Sequence, residues 1–207
     1  MLKAEIAGNT YHLPITYRDV TLKQYIALYK ILIKYDNLDE VKNGNKHEFL
    51  QMYKEVFLHF IPIKEEVFMK IPTQDITNTV NMMREILTPP KDEALQFFDF
   101  EGDRYYFPKP VYEEESFGAY IESSHLLSTC DKLEGGQFDI IAEHMAIMCR
   151  KRGEEYSDKL VKERTELFQN LSMQICWQYS FFLSRQKQTY ESNMRHYSKV
   201  VAVTSML

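Results

Sequence analysis

The chain has 207 residues with a formal net charge of −5 at pH 7, and 44% of its residues are hydrophobic while 27% are charged. This length can bury a substantial core, as one domain or two small ones, and the composition is typical of a folded globular protein. The acidic balance argues against nucleic acid as a general partner, because a broad basic surface is needed to bind it.

Three further observations bound the cellular setting. The three cysteines, Cys130, Cys149 and Cys176, are scattered and odd in number, which favours a reduced, cytoplasmic protein. The N-terminal segment lacks the apolar core of a secretory signal peptide. No apolar run approaches the roughly 18–20 residues of a membrane helix, so we expect no membrane partner.

The first predicted element is a β-hairpin over about residues 3–14, with a turn at Gly8 and Asn9 between short alternating runs. Thr21 and Gln24 then form a capping box, which predicts the start of a helix. The apolar positions of that helix recur at helical spacing. They are Leu22, Tyr25, Ile26, Leu28, Tyr29, Leu32 and Ile33.

Three more helical segments are predicted in the first half. One begins near Lys46, after a polar loop, and is stopped by Pro62. A short piece lies between Pro62 and Pro72, and Thr73 is the predicted N-cap of the third segment. The Pro-Pro pair at positions 89 and 90 ends that segment and marks the best linker in the chain.

The second half opens with another predicted hairpin, and Ser116 is the N-cap of the helix that follows it. The next helix is expected over about residues 137–149, and Gly153 marks a turn after it. Ser157 and Ser172 are the predicted caps of the last two helices. The final helix is the longest, over about residues 173–197.

The two hairpin regions are related in sequence. Ile6, Gly8, Tyr11 and Pro14 match Phe100, Gly102, Tyr105 and Pro108 at an offset of 94. Thr21, Leu22, Tyr25 and Ile26 match Ser116, Phe117, Tyr120 and Ile121 at an offset of 95. Repeated sequence of this kind indicates a repeated structural unit.

We therefore predict a mainly α (α+β) fold, a helical bundle with two small β-hairpins and an internal duplication of a hairpin-helix unit. The units span residues 1–90 and 91–184 and pack as one domain through their first helices. The predicted contact is formed by Tyr25, Ile26, Tyr120 and Ile121. Residues 185–207 are expected to be the projecting end of the last helix and an apolar tail.

Histidines, cysteines and other residues of the types used in catalysis and metal binding do not form a recognisable motif in the sequence. His144, with Glu143 beside it and Cys149 five residues on, falls short of the three or four ligands of a metal site, and a histidine on an apolar helix is typically buried. Cys176 adjoins Trp177 in an apolar helix, as packing cysteines do. There is no nucleophile elbow and no glycine-rich phosphate loop. We expect no catalytic residue, cofactor or metal, and so a protein that is not an enzyme.

We interpret the charged clusters as structural features of the surface and of helix starts, not as functional sites. The acidic runs at 65–66, 113–115 and 154–155 lie beside predicted turns or helix starts, where a solvated face or a helix-start role is expected. The basic run at 150–152 is partly neutralised by the two glutamates that follow Gly153.

The last helix divides into two halves. The apolar half around Trp177, Phe181 and Phe182 is predicted core, whereas nothing apolar holds down the polar half. The polar half is either a solvated helix end or a contact for an acidic partner or nucleic acid, and its apolar terminus either docks on a neighbour or folds back. The predicted partner-contact residues are Arg185, Lys187, Tyr190, Arg195, Tyr197, Val200, Val201 and Leu207.

A set of short motifs recurs in one family of known proteins. The residues are Gly8, Tyr11, Pro14, Thr21, Leu22, Tyr25, Ile26, Gly153, Glu154, Glu155, Tyr156, Arg164, Phe168, Phe181 and Phe182. In this pattern the chain resembles tail assembly chaperones of tailed bacteriophages. The resemblance implies a non-enzymatic morphogenesis protein that acts in the host cytoplasm and keeps a tape-measure protein soluble until tail-tube subunits polymerise on it.

A second function class stays open beside the chaperone. A head-tail connector, neck or tail ring protein contacts portal or neck proteins and remains in the virion, and a heterologous interface between copies closes such a ring. An enzyme is the third class, and it requires a convergent polar cluster in a deep pocket, of which the sequence shows none.

Overall fold

The computed structural model describes residues 1–6, 8–35, 46–109, 115–129, 133 and 136–204, and within the last helix it describes side chains up to Thr189. About 60% of the chain is helical, which confirms a mainly α fold with two small hairpins. The strands are β1 (Leu2–Ile6), β2 (Asn9–Leu13), β3 (Phe97–Phe100) and β4 (Asp103–Tyr106). The helices are α1 (Leu22–Lys34), α2 (Lys46–Phe60), α3 (Glu65–Phe68), α4 (Thr73–Met82), α5 (Phe117–Thr129), α6 (Gln137–Met148), α7 (Asp158–Phe168) and α8 (Met173–Thr204). Short 3₁₀ turns lie at Tyr17–Asp19 and Arg84–Leu87.

The two hairpins have the same register, shifted by the repeat offset of 94. Ile6 pairs with Asn9 in the first hairpin, and Phe100 pairs with Asp103 in the second. Each pair is closed by a two-residue turn whose second residue is a glycine with positive φ, 77° at Gly8 and 85° at Gly102. Only glycine adopts this conformation without steric cost, so the turn chemistry is the same in both copies.

The helix after each hairpin also repeats. α1 and α5 each have 13 residues. α5 begins 95 positions after α1 begins and ends 95 positions after α1 ends. The capping box of Thr21 and Gln24 is present as predicted. In α5, the Ser116 hydroxyl accepts the Ala119 N–H at 3.3 Å. The sequence repeat therefore corresponds to a repeated hairpin-helix element in the structure.

Buried residues from both halves form one hydrophobic cluster. At its centre the Phe138 ring lies 5.2 Å from that of Tyr25 and 5.1 Å from that of Trp177, measured between ring centroids. The start of α1 is also joined to the start of α8. The Leu22 N–H donates to the Leu171 carbonyl at 2.8 Å, which satisfies a helix-start donor that has no partner within α1.

The predicted contact between the first helices of the two units is wrong on the α5 side. Tyr25 is buried and Ile26 packs against the core, but Tyr120 and Ile121 are 44% and 49% exposed. The buried side chains of α5 are Ala119 and Ser123. The face of a helix that is buried depends on its neighbours, and α5 packs against α6.

Two helix ends differ from the prediction, and a third, at Ser157, lies where it was predicted. Pro72, not Thr73, is the N-cap of α4. Ser157 precedes α7 as expected but makes no side-chain capping bond. α8 continues to Thr204, seven residues beyond the predicted Tyr197.

Candidate partner-binding cleft

A cleft of about 900 Å³ lies beside the second hairpin. One wall is the end of β4 and the residues after it, and a second is the loop of residues 150–154 between α6 and α7. α8 contributes Phe182, Arg185 and Gln186. The 94–96 segment before β3 completes the described lining.

The 150–154 loop is held in shape by a buried arginine on α7. Arg164 donates to the Cys149 carbonyl at 3.2 Å and to the Glu154 carboxylate at 2.5 Å. The other Glu154 oxygen accepts the Lys151 N–H at 3.0 Å. Gly153, with φ of 76°, permits the reversal that returns Glu154 to Lys151. Because both carboxylate oxygens and the guanidinium are engaged, the loop has a single well-defined shape.

The same loop is fixed to the second hairpin. The Tyr106 N–H donates to the Arg150 carbonyl at 2.9 Å, so the loop adds a bridge to the outer edge of β4. The Lys151 ammonium donates to Asp103 at 2.6 Å, and this hydrogen bond raises the pKa of Lys151. The guanidinium of Arg164 lies over the Tyr105 ring at 5.1 Å. Two walls of the cleft are therefore one connected body.

The α8 wall is connected to the linker between the units. Arg185 forms an ion pair with Asp92, and the hydrogen bond from Arg185 lowers the pKa of that carboxyl. Both side chains are 37% exposed, so the pair lies at the mouth of the cleft and is in contact with solvent.

Positive charge predominates along the described lining. It contains two carboxylates, Glu115 and Glu154, against five cationic side chains. The cationic residues are Lys109, Arg150, Lys151, Arg152 and Arg185. This excess occurs on a chain whose net charge is −5, so the cleft differs in sign from the protein as a whole.

The inner part of the cleft is apolar. Phe107, Met148 and Phe182 line it and also belong to the buried core. Leu95 and Pro108 extend this apolar surface toward the mouth. An apolar floor with charged groups around it is the usual arrangement of a site that anchors a side chain and orients the rest of its ligand.

For two of the acidic residues the solvated face, one of the two predicted roles, is wrong. Glu115 and Glu154 are not on a solvated face, because their side chains are only 9% and 17% exposed and each pairs with an arginine. Glu113 and Glu114 lie outside the described residues. The partners, Arg150 for Glu115 and Arg164 for Glu154, come from distant parts of the sequence, and this long-range pairing leaves no local signal.

Of the two predicted partner-contact residues whose side chains are described, Arg185 lines the cleft. Lys187 is exposed and does not line it. Tyr190, Arg195, Tyr197, Val200 and Val201 lie on the α8 backbone, beyond the described side chains, and Leu207 lies outside the described residues. The sequence signal for the cleft was the RKRGEE run, but its charged side chains pair with residues outside it, Arg150 with Glu115, Lys151 with Asp103 and Glu154 with Arg164.

Three titratable groups with shifted pKa values lie in the core, away from the cleft. His144 is buried on α6, its Nδ1 is 2.7 Å from the Tyr179 hydroxyl, and burial lowers its pKa to about 4. Cys149 and Cys176 are buried thiols whose pKa values burial raises. Histidine and cysteine thus have packing roles here, as predicted from their apolar surroundings.

The described residues show neither a metal-binding cluster nor a membrane-spanning helix. They contain no group of three or more histidine, cysteine or acidic side chains placed to hold a metal ion. Among their helices, none combines the length and apolar character needed to cross a membrane.

Comparison of the chain with protein-family models, with curated proteins and with solved structures found no match.

Proposed function

We propose that this chain is a non-enzymatic bacteriophage morphogenesis protein that binds other phage proteins during tail assembly. The observation that carries the proposal is the length of α8. Among its described side chains, which end at Thr189, the last that packs against the core is Leu183, and the helix continues to Thr204. At 1.5 Å per residue this is about 30 Å of helix, which is long enough to dock on a partner.

The cleft gives a second surface of the kind that an assembly protein needs. It lies at the base of this helical extension, since α8 supplies one of its walls through Phe182 and Arg185. A partner that docks along α8 therefore meets the cleft. The resemblance of the short sequence motifs to those of tail assembly chaperones supports the same class of function.

The first experiment is quantitative mass spectrometry of purified particles and of infected lysate from the source phage. A protein that is abundant in the lysate and absent from particles fits the chaperone, whose expected clients are the tape-measure or tail-tube proteins. A fixed, ring-like copy number per particle overturns the chaperone in favour of a connector, neck or tail ring component.

A truncation tests the role of α8. A chain that ends at Thr189 retains every described residue of the cleft and the Arg185–Asp92 pair, so we expect it to fold and to melt like the full chain. Phage that carry this truncation are expected to yield few complete tails. A full chain with the exposed Lys70 changed to alanine is the matched control, with normal assembly.

Normal tail assembly by the truncated chain contradicts the proposal. Loss of folding shows instead that the extension belongs to the core. A second truncation, after Ser184, removes the Arg185–Asp92 pair as well, and a larger defect than that of the first locates part of the contact at the mouth of the cleft.

A further inference from the structure

We infer that the cleft binds an acidic protein segment that carries one apolar anchor residue. This inference rests on the proposed function and names the chemistry of the partner. The anchor lies against Phe107, Met148 and Phe182, and the carboxylates of the segment contact the cationic rim formed by Arg152 and Arg185.

The charges of the site favour an acidic ligand. The lining has five cationic side chains and two carboxylates, and Arg152, an exposed residue, has no ion pair within the described part of the chain. Arg150 and Lys151 are paired with Glu115 and Asp103, which fixes their positions but offsets their charge, so the attraction for a ligand rests on Arg152 and Arg185. Complementary charge of this kind orients a partner and speeds its association.

Arg185 is the cation best placed to exchange partners. Its pair with Asp92 is exposed at the mouth of the cleft, and such surface pairs contribute only about 0–1 kcal/mol. Rotation of one side chain releases Arg185 from Asp92 toward a carboxylate in the cleft. Asp92 therefore competes with the ligand for Arg185.

A protein segment fits the site better than nucleic acid. A nucleic acid carries phosphates on both sides of any bound nucleotide, and the surface beyond the cleft belongs to a chain whose net charge is −5, which disfavours it. The inner wall formed by Phe107, Met148 and Phe182 has no polar side-chain atoms with which to recognise a base edge. A buried apolar side chain of a peptide matches that surface directly.

Binding is measured by fluorescence anisotropy of a labelled short peptide of aspartates and glutamates with one central phenylalanine, added to the purified full chain. We expect saturable binding that weakens as salt rises. The same peptide with serine in place of phenylalanine is expected to bind less tightly. Equal affinity of the two peptides, or tighter binding of a short oligothymidylate, overturns the inference.

Two variants that are expected to change the affinity for the peptide in opposite directions locate the contact. Arg152→Glu is expected to weaken peptide binding by about tenfold, since it places a like charge against the ligand. Asp92→Asn is expected to strengthen it by about threefold, because it frees Arg185 while an amide oxygen still accepts the Ala94 N–H. Lys70→Glu, the same charge reversal at an exposed lysine away from the cleft, is expected to have no effect.

Equal binding by the Arg152→Glu and Lys70→Glu chains overturns the inference, as does weaker binding by Asp92→Asn. The chain that ends at Thr189 separates this result from the proposed function. It retains the cleft and is expected to bind the peptide normally although it fails in tail assembly. If the chain that ends at Thr189 fails in tail assembly and the full chain does not bind the peptide, the proposed function stands. The cleft is then not a site for an acidic segment.

Discussion

The side-chain amide of Gln178 donates to the carbonyl oxygen of Lys91 at 2.8 Å. The oxygen of the same amide accepts the Glu93 N–H at 2.7 Å. Gln178 is fully buried on α8, whereas Lys91 and Glu93 are exposed residues, so a buried side chain holds two backbone groups of a linker at the surface. The linker between the two halves is thereby fixed to the last helix, next to the cleft.

Replacing Gln178 with leucine is expected to lower the free energy of unfolding by about 1–3 kcal/mol, because two hydrogen bonds that fix the linker to α8 are lost. Urea unfolding followed by circular dichroism measures the change. The matched control is Gln174→Leu, one turn earlier on α8, where the glutamine bonds the exposed Arg18. Similar losses in the two variants contradict the role given to Gln178.

The local elements of the fold could be predicted because their signals are local. Gly8 and Gly102 fixed both turns, and the capping box at Thr21 fixed the start of α1. The burial of α5 could not be predicted in this way. Its sequence is apolar on more than one side, so the face that is buried depends on α6 and not on the periodicity of α5 itself.

The candidate site was predictable only in part. Arg185 was expected to contact a partner because the polar half of α8 lacks apolar anchors, and it lies at the mouth of the cleft. The pairing of Glu115 with Arg150 and of Glu154 with Arg164 spans 35 and 10 positions of sequence. Pairings at such separations are set by tertiary packing, which no pattern in a single sequence reports.

Arg164→Met is expected to destabilise the protein by about 3–5 kcal/mol, because it leaves the partly buried Glu154 carboxylate and the Cys149 carbonyl without their partner. Guanidinium chloride unfolding measures this loss. Lys159→Met, on the exposed face of the same helix, is expected to change stability by less than about 0.5 kcal/mol. A small effect of Arg164→Met means that the 150–154 loop holds its shape without that arginine.

Stability is expected to fall in mild acid because of His144. Its pKa is about 4 in the folded protein against 6.5 for an ordinary histidine, so between those values the unfolded chain binds more protons. The free energy of unfolding therefore rises with pH in this window, and it decreases by about 2–3 kcal/mol from pH 7 to pH 4.5. Chemical unfolding at a series of pH values gives the slope.

A variant assigns that slope to the histidine. His144→Gln retains a group that can hydrogen bond to the Tyr179 hydroxyl but does not titrate, so its stability is expected to vary less between pH 7 and pH 5.5. His125→Gln, at an exposed position of α5, is the control and is expected to keep the slope of the unmodified chain. An unchanged slope in His144→Gln assigns the acid sensitivity to other groups.

The turn of the second hairpin offers a stabilising substitution. Glu101 has a φ of 50°, a left-handed conformation that asparagine tolerates better than glutamate. Glu101→Asn creates the Asn-Gly turn favoured in two-residue hairpins and is expected to raise stability by about 0.5–1 kcal/mol. Gly102→Ala, at a φ of 85°, is expected to lower it by about 1 kcal/mol. Thermal unfolding compares the two, and shifts of the same sign contradict the turn assignment.

The repeat allows one position to be tested in two environments. Leu22 and Phe117 are the first residues of α1 and α5 and occupy equivalent places in the two copies. Leu22 is buried against the core, whereas Phe117 is 80% exposed. The same truncation therefore removes core packing in one copy and surface in the other.

Leu22→Ala is expected to cost about 2–5 kcal/mol, as large-to-small changes in a core do. Phe117→Ala is expected to change stability by less than about 0.5 kcal/mol, although it deletes the larger side chain, because little of that side chain is removed from water on folding. Urea unfolding at low protein concentration measures both. A large loss in Phe117→Ala shows that the α5 face is covered in solution, and repeating the measurement at several concentrations tells whether a second copy covers it.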